Sequence, residues 1–374
     1  MFDLDVSDET AAVVSMCHAL AAEVLGPAAQ SAERNAAVPD TVRLALFETG
    51  LTTPIDEAYG GGGRPTCLTQ FAAVEALAYG DPGMTMAAVW SGLGAAIVGA
   101  IGADALKQVI LPRFASDASA HSALALYEGH GRAPTESATT ITPDGNGSWR
   151  VLGTKLAVAD VIRADPLVVV GIDPTNGTVR AAIVSTKAPG VSISEPVRHI
   201  ALDAARLSTV TFDTTVAPDA VLGESSENLN TLTLAISQAR LLVAAAQLGT
   251  AQRAVDYASK YANERIAFGK PISAFQGVSF MLAEASIRIA AAKVDALAVA
   301  SQIDLGDVHD LERQTGNTVN FCGVVATQST RDAIQVLGGH GFITDHPVEL
   351  WYRSAAALAS IDFDPLCSAF EPAL

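Results

Sequence analysis

The stretch Arg331 to Arg353, RDAIQVLGGHGFITDHPVELWYR, decides how the chain is read, together with Tyr261 to Gln276, YANERIAFGKPISAFQ. In the first, an apolar-periodic helix runs into Gly338-Gly339-His340-Gly341, where glycines let main-chain amides come close to a polar or anionic ligand. In the second, Arg265 offers a planar, permanently charged guanidinium suited to a phosphate oxygen. Gln276 and Gln335 add carboxamides that can both donate and accept. Taken singly, such an arginine is a surface ion pair and such glycines are a helix break. Two stretches of this kind in one chain favour a binding role.

Working outward, residues 232–260, 278–303 and 311–337 carry helical periodicity, broken at 269–271, 306 and 338–341. Their lengths and alanine content predict an antiparallel, four-helix-type bundle over residues 226–374. Upstream, the pattern changes to short alternating or fully apolar runs at 149–152, 167–172, 179–185, 191–194 and 207–212. Asp144-Gly145, Asn146-Gly147 and Asn176-Gly177 separate them as turns, and Leu222-Gly223-Glu224 closes the series. A small β-barrel or sandwich is expected over residues 119–225.

Residues 1–118 read as helical again. Ser7-Asp8-Glu9 is a helix start, with acids at the positive helix end. Helices are expected at 10–25, 40–47, 67–78, 85–99 and 104–114, the last ending near Leu111-Pro112. Gly60 to Gly63 precede no Lys-Ser/Thr and follow no clear strand, so they read as a turn rather than a phosphate loop. The fold class is therefore α+β and mostly α: a helical domain, a small β domain and a helical bundle.

Composition narrows the function. A net charge of −17 with pI about 4.7 argues against nucleic-acid binding, which needs lysine and arginine density. A few local arginines can still hold an anionic ligand. Cys17, Cys67, Cys322 and Cys367 form no C-x-x-C pair, and the histidines show no metal spacing, so free thiols and no metal are expected. The acidic MFDLDVSDET start lacks a signal peptide's features, and a cytoplasmic location is expected. Residues 84–103 are uncharged and long enough to span a bilayer. Their four glycines and missing basic flank read instead as a buried helix-turn-helix, with no membrane span.

The order of these features resembles the acyl-CoA dehydrogenase family over essentially the whole chain. Arg265 to Gln276 is similar to that family's R-x-x-F-G-x-P-I-x-x-F-Q, and Gln335 to Phe342 to its glycine-rich loop. Glu57 to Gly61, Leu111-Pro112 and Gly153-x-Lys155 match less closely. The resemblance implies FAD in a cleft shared by two subunits. It also implies that Arg265, Phe268, Gln276, Gln335, Gly338 and Gly339 serve the neighbour's FAD, while the β domain and the end of the bundle serve the chain's own.

Against that family pattern, the chain departs in one direction. Where T-E-P-x-A-G-S-D is expected, it has Tyr127-Glu128-Gly129-His130-Gly131-Arg132-Ala133, and only Glu128 matches. The K-x-W-I-T/S strand, which packs a ring and a hydroxyl on flavin, reads Lys155-Leu156-Ala157-Val158-Ala159. The base that takes the α-proton lies nine residues after the motif arginine, which gives Asp362, or Phe363 with a one-residue gap. The other family position for the base is Ala239, before Arg240. Asp362 is thus the candidate base; a solvated tail residue is its plainer reading, as it is for Asp364 and Glu371.

Residues for a neighbour's FAD are kept and residues for the chain's own are lost. This implies the non-catalytic subunit of a heteromeric, α2β2 acyl-CoA dehydrogenase of the actinobacterial kind that acts on bulky or steroid-derived CoA thioesters. A homologous partner would carry the base and most of the acyl-CoA contacts. The alternatives are an autonomous dehydrogenase using Asp362, and a flavin-free scaffold or regulatory protein on the same fold.

Overall fold

The computed structural model describes residues 7–129, 136–223 and 226–363. His130 to Ala133, Glu224, Asp364, Cys367 and Glu371, all considered above, lie outside the described residues.

The N-terminal domain begins as expected. Ser7 Oγ accepts from Thr10 N at 3.1 Å and caps α1 (Asp8–Leu20), which runs through a π-helical turn (Ala21–Leu25) into α2 (Gly26–Asn35). After α3 (Asp40–Phe47) come α4 (Cys67–Gly80), α5 (Pro82–Trp90), α6 (Leu93–Ile101) and α7 (Asp104–Ser116). The uncharged run is the expected helix-turn-helix. It breaks at Gly92, where a Cβ would stand 1.7 Å from the Thr52 carbonyl oxygen, so only glycine fits. Among the described residues three segments are long and apolar enough to cross a membrane by length and composition, and this one (Pro82–Ile101) has 83% of its apolar window buried in protein. α7 corrects the sequence reading: it continues through Pro112 for another turn, with Ser116 Oγ bonding the Pro112 carbonyl.

The central domain holds β1 (Leu124–Ala125), β2 (Thr140–Pro143), β3 (Trp149–Val158), β4 (Leu167–Asp173), β5 (Thr178–Val184), β6 (Val191–Ile193), β7 (Ser208–Val216) and β8 (Val221–Leu222). They form one sheet in the order β6-β7-β3-β2-β4-β5-β8, with β1 beside β4. The expected barrel is not closed among the described residues. The sheet ends on strands of three and two residues; one face of its strands packs on itself within the β domain, and helices cover the other face of β4 and β5. β4 shows this directly. Val168 and Val170 pack into the core shared with the helices, while Leu167 and Val169 pack with Phe212 inside the β domain. Burial on both faces is why β4 reads as a continuous apolar run.

The C-terminal domain is built on α8 (Ser226–Glu264), followed by α9 (Gln276–Asp304), α10 (Leu311–Leu337) and α11 (Val348–Leu358). Small residues let these helices approach. A Cβ on Gly249 of α8 would lie 2.1 Å from the Glu75 carbonyl oxygen of α4, so these two helices touch backbone to backbone. Between α8 and α9 stands a hairpin of β9 (Ile266–Ala267) and β10 (Lys270–Pro271). Its two turn residues, Phe268 (φ 52°) and Gly269 (φ 80°), both have positive φ, the signature of a tight I′-like turn.

Candidate functional site

Two regions hold the residues singled out above. The first is an edge at the far end of the bundle. Arg265, Phe268, Gln276, Gln335, Gly338 and Gly339 are all exposed there. Phe268 is 96% exposed, an aromatic ring held out from the hairpin tip in a conformation that phenylalanine adopts at a cost of about 1–2 kcal/mol. Arg265 makes no side-chain hydrogen bond or ion pair among the described residues. Gly338 has φ 58° and ψ −130°, which requires glycine, and a Cβ on Gly338 or Gly339 would meet nothing within 4 Å. Open space therefore lies over both glycines.

What joins the two stretches was not foreseen. Tyr261 OH pairs with His340 Nδ1 at 2.7 Å, and Tyr257 OH with His346 Nδ1 at 2.7 Å. Arg265 N bonds the Tyr261 carbonyl at 2.8 Å, so Tyr261 anchors the hairpin entrance and the glycine loop together. His340 and His346 both fall within the Arg331 to Arg353 stretch, but pairings across 79 and 89 positions leave no sequence signal.

The second region lies between the β domain and the bundle. A cavity of about 360 Å³ is lined by Lys155, the Asn176–Val179 turn, Thr233, Ser237 and Arg240 of α8, Glu312 of α10, and Phe363. Lys155, 1% exposed, bonds Glu128 at 2.6 Å and the Leu126 carbonyl at 3.0 Å. Glu128 also accepts from Ser137 Oγ and from the main-chain amides of Ala138 and Thr139. Burial pushes the Glu128 carboxyl up, but the Lys155 charge and these donors outweigh it and hold it at about 2. Burial lowers Lys155 to about 8 against the pull of Glu128. The pair is ionised at neutral pH, and it fixes the start of the strand segment that carries Ala157 and Ala159. Ala157 sits at a bulge with φ 52°, and Ala159 is 3% exposed. Neither offers a ring or a hydroxyl to the cavity.

Asp362 is the main correction. It is not a solvated tail residue: its two oxygens accept from Arg240 Nε and Nη2, each at 2.8 Å. The Arg240 side chain is 2% exposed and that of Asp362 11%. Phe363 lies over the guanidinium at 5.1 Å and edge-on to Tyr127 at 6.3 Å. Together they wall the first cavity from a second of about 290 Å³ lined by Gln247, Asn320, Gln328 and Asp362. Burial would lower Arg240, yet the Asp362 charge and hydrogen bonds raise it, so the guanidinium stays charged and the carboxylate stays committed to it. At the alternative position, Ala239 is 4% exposed beside this pair. No cluster of metal-ligating side chains occurs among the described residues.

A helical domain, a β sheet and a helical bundle meeting at a cavity, with a glycine-rich edge set apart from it, define an acyl-CoA dehydrogenase fold. Comparison with known proteins agrees. Residues 7–118 match the family model described as acyl-CoA dehydrogenase, N-terminal domain, and residues 229–362 that of the C-terminal domain. The probable acyl-CoA dehydrogenase FadE25 of Mycobacterium tuberculosis is 28% identical over 360 residues, 95% of this chain and 92% of the relative. An acyl-CoA dehydrogenase of Bacillus subtilis is 27% identical over 361 residues, 94% of this chain and 93% of its own length. Among solved structures, butyryl-CoA dehydrogenase from Megasphaera elsdenii superposes with a TM-score of 0.86 at 23% identity, covering 98% of this chain and 97% of that one. The chain belongs to the acyl-CoA dehydrogenase family.

Proposed function

We propose that the chain is one subunit of a heteromeric, FAD-dependent acyl-CoA dehydrogenase, in which it completes the FAD site of a homologous partner that carries the base. The observation behind this reading is the Arg240–Asp362 pair. The carboxylate at the family's base position, Asp362, is bound through both oxygens to a buried guanidinium. To remove an α-proton it would have to leave Arg240, stranding a buried charge at a cost of several kcal/mol.

The residues present divide by cofactor. Those expected to reach a neighbour's FAD fit that role: an unpaired Arg265, open glycines, and the exposed carboxamides of Gln276 and Gln335. Those expected to cradle the chain's own flavin do not, since Ala157 and Ala159 replace the ring and hydroxyl. When bound, FAD supplies the hydride acceptor for α,β-dehydrogenation of a CoA thioester. This chain's part is to bind and orient the dinucleotide end, with the exposed Phe268 shielding it from water. The acyl-CoA contacts fall mainly to the partner, in an α2β2 arrangement suited to bulky acyl groups such as steroid-derived ones. The buried free thiols of Cys17, Cys67 and Cys322 suit the reducing cytoplasm.

The test is flavin content per chain, by visible absorbance, for the protein alone and co-expressed with a glutamate-bearing relative from the same genome. The expected result is a colourless chain alone and about one FAD per two chains in the complex. One FAD per chain in the isolated protein, bleached by an acyl-CoA, would overturn the proposal.

A further inference from the structure

We infer that His340 is a phosphate-contacting residue of the shared dinucleotide site and that Tyr261 is the residue that positions it. This rests on the reading of the exposed edge as an FAD-binding surface.

Arg253, Tyr257, Tyr261 and Arg265 are spaced four apart along α8 and just past its end, which sets them in one row. Partners from elsewhere fill the row. Arg253 lies between the rings of Tyr79 (4.9 Å) and Trp351 (5.4 Å), and Tyr257 packs edge-on to Trp351 at 5.5 Å. Tyr257 then holds His346, and Tyr261 holds His340, each through Nδ1. The two imidazoles lie 5.3 Å apart, tilted by 32°. The row thus runs from the helical domain to the glycine loop with every ring held on both sides.

Its last member determines what the loop presents. In the tautomer in which Tyr261 O–H donates to Nδ1, Nε2 carries the proton and is the donor left to face outward. His340 is exposed, and Nε2 has no partner among the described residues. The histidine sits between Gly339 and Gly341, next to the open side of Gly338 and Gly339. The same Tyr261 carries, through its carbonyl, the amide of unpaired Arg265. Tyr261 therefore holds the imidazole of His340 and the start of the segment that carries Arg265, and both side chains are exposed beside an open glycine face. That combination recognises a diphosphate, where the arginine supplies charge and the imidazole a directed hydrogen bond.

The experiment uses whichever assembly of this chain retains FAD. FAD affinity is measured after removal and re-addition of cofactor, and ADP and adenosine are compared as competitors. Arg265→Ala is the reference. His340→Ala should weaken FAD about ten- to a hundredfold, the scale of one lost hydrogen bond to a charged group, and should shrink the advantage of ADP over adenosine. Tyr261→Phe should do the same. The double variant should be no worse than His340→Ala alone, and His340→Gln, which keeps an N–H donor, should recover part of the loss. A merely structural lesion would weaken ADP and adenosine alike, and that outcome would overturn the assignment. A normal His340→Ala beside a weakened Arg265→Ala overturns it as well. If Arg265→Ala also binds FAD normally, the edge is not the FAD surface, and the reading beneath the assignment is what has failed.

Discussion

Replacing Asp362 by alanine separates a structural carboxylate from a catalytic one. The substitution removes both acceptors of Arg240 Nε and Nη2 and leaves a guanidinium that is 2% exposed with a 3.4 Å hydrogen bond to the Glu312 carbonyl and the Phe363 ring over it. Breaking a buried ion pair by deleting one partner costs about 3–5 kcal/mol, because the remaining charge stays desolvated. With each kcal/mol worth roughly 2–4 °C for a domain of this size, unfolding of the bundle should begin about 10 °C earlier. Replacing both partners by apolar residues, Arg240→Met with Asp362→Leu, removes the charge along with the carboxylate. It should restore most of the lost stability, to within about 1–2 kcal/mol of the parent. Urea unfolding of the parent, both single variants and the double variant gives the coupling directly. A loss under 1 kcal/mol for Asp362→Ala, or a double variant as unstable as the two singles added together, would refute the argument. Asp362→Asn adds the catalytic arm: turnover abolished in a fully stable protein would make Asp362 the base after all.

Two buried groups set opposed pH dependences. Burial raises Asp81 from 3.8 to about 7, so its contribution is present below 3.8 and is lost as pH rises toward 7. Asp81→Asn keeps the acceptor that caps α5 through Met84 N and should be neutral at pH 4 but stabilising at pH 8, by up to about 4 kcal/mol, in urea titrations at both values. Burial, with Arg43 and Arg163 nearby, lowers His121 from 6.5 to about 4, so its contribution is present above 6.5 and fades as pH falls toward 4. The two windows overlap with opposite sign. His121→Gln should therefore leave a protein whose stability falls more steeply from pH 4 to 6.5 than the parent's, with a change on the order of 3 kcal/mol. At the hairpin tip, Phe268→Asn creates the Asn-Gly turn that positive φ favours. It should raise the melting temperature of the chain alone, by about 1 kcal/mol of stability, while weakening assembly and FAD retention in sedimentation and absorbance measurements.

The three-part layout was legible because the apolar period changes where the domains change. The apolar run at 167–172 marked a strand, and the four glycines of residues 84–103 marked a broken, buried helix pair. The closure of the sheet was not legible, since alternation along a strand is the same in a barrel and in an open sheet backed by helices. α7 ran on through Pro112 because packing of Leu111 and Phe114 in the core holds the turn that proline weakens. In the candidate site, residue types were legible and pairings were not. Asp362 and Arg240 are 122 positions apart, and Tyr261 and His340 are 79 apart. No local pattern marks which arginine a carboxylate will meet.

Those pairings sharpen the asymmetry seen in the sequence. A family position lost to drift would leave solvent-exposed, unpartnered remnants. Here Asp362 is bonded through both oxygens and Phe363 covers its partner. The far edge shows the reverse: a ring 96% exposed at positive φ, an unpaired arginine, and glycines open to solvent. Exposed apolar surface and backbone strain persist where something else makes use of them. An interior that is paired and packed, with an edge that is open for contact, is the division of labour that the proposed two-subunit arrangement predicts.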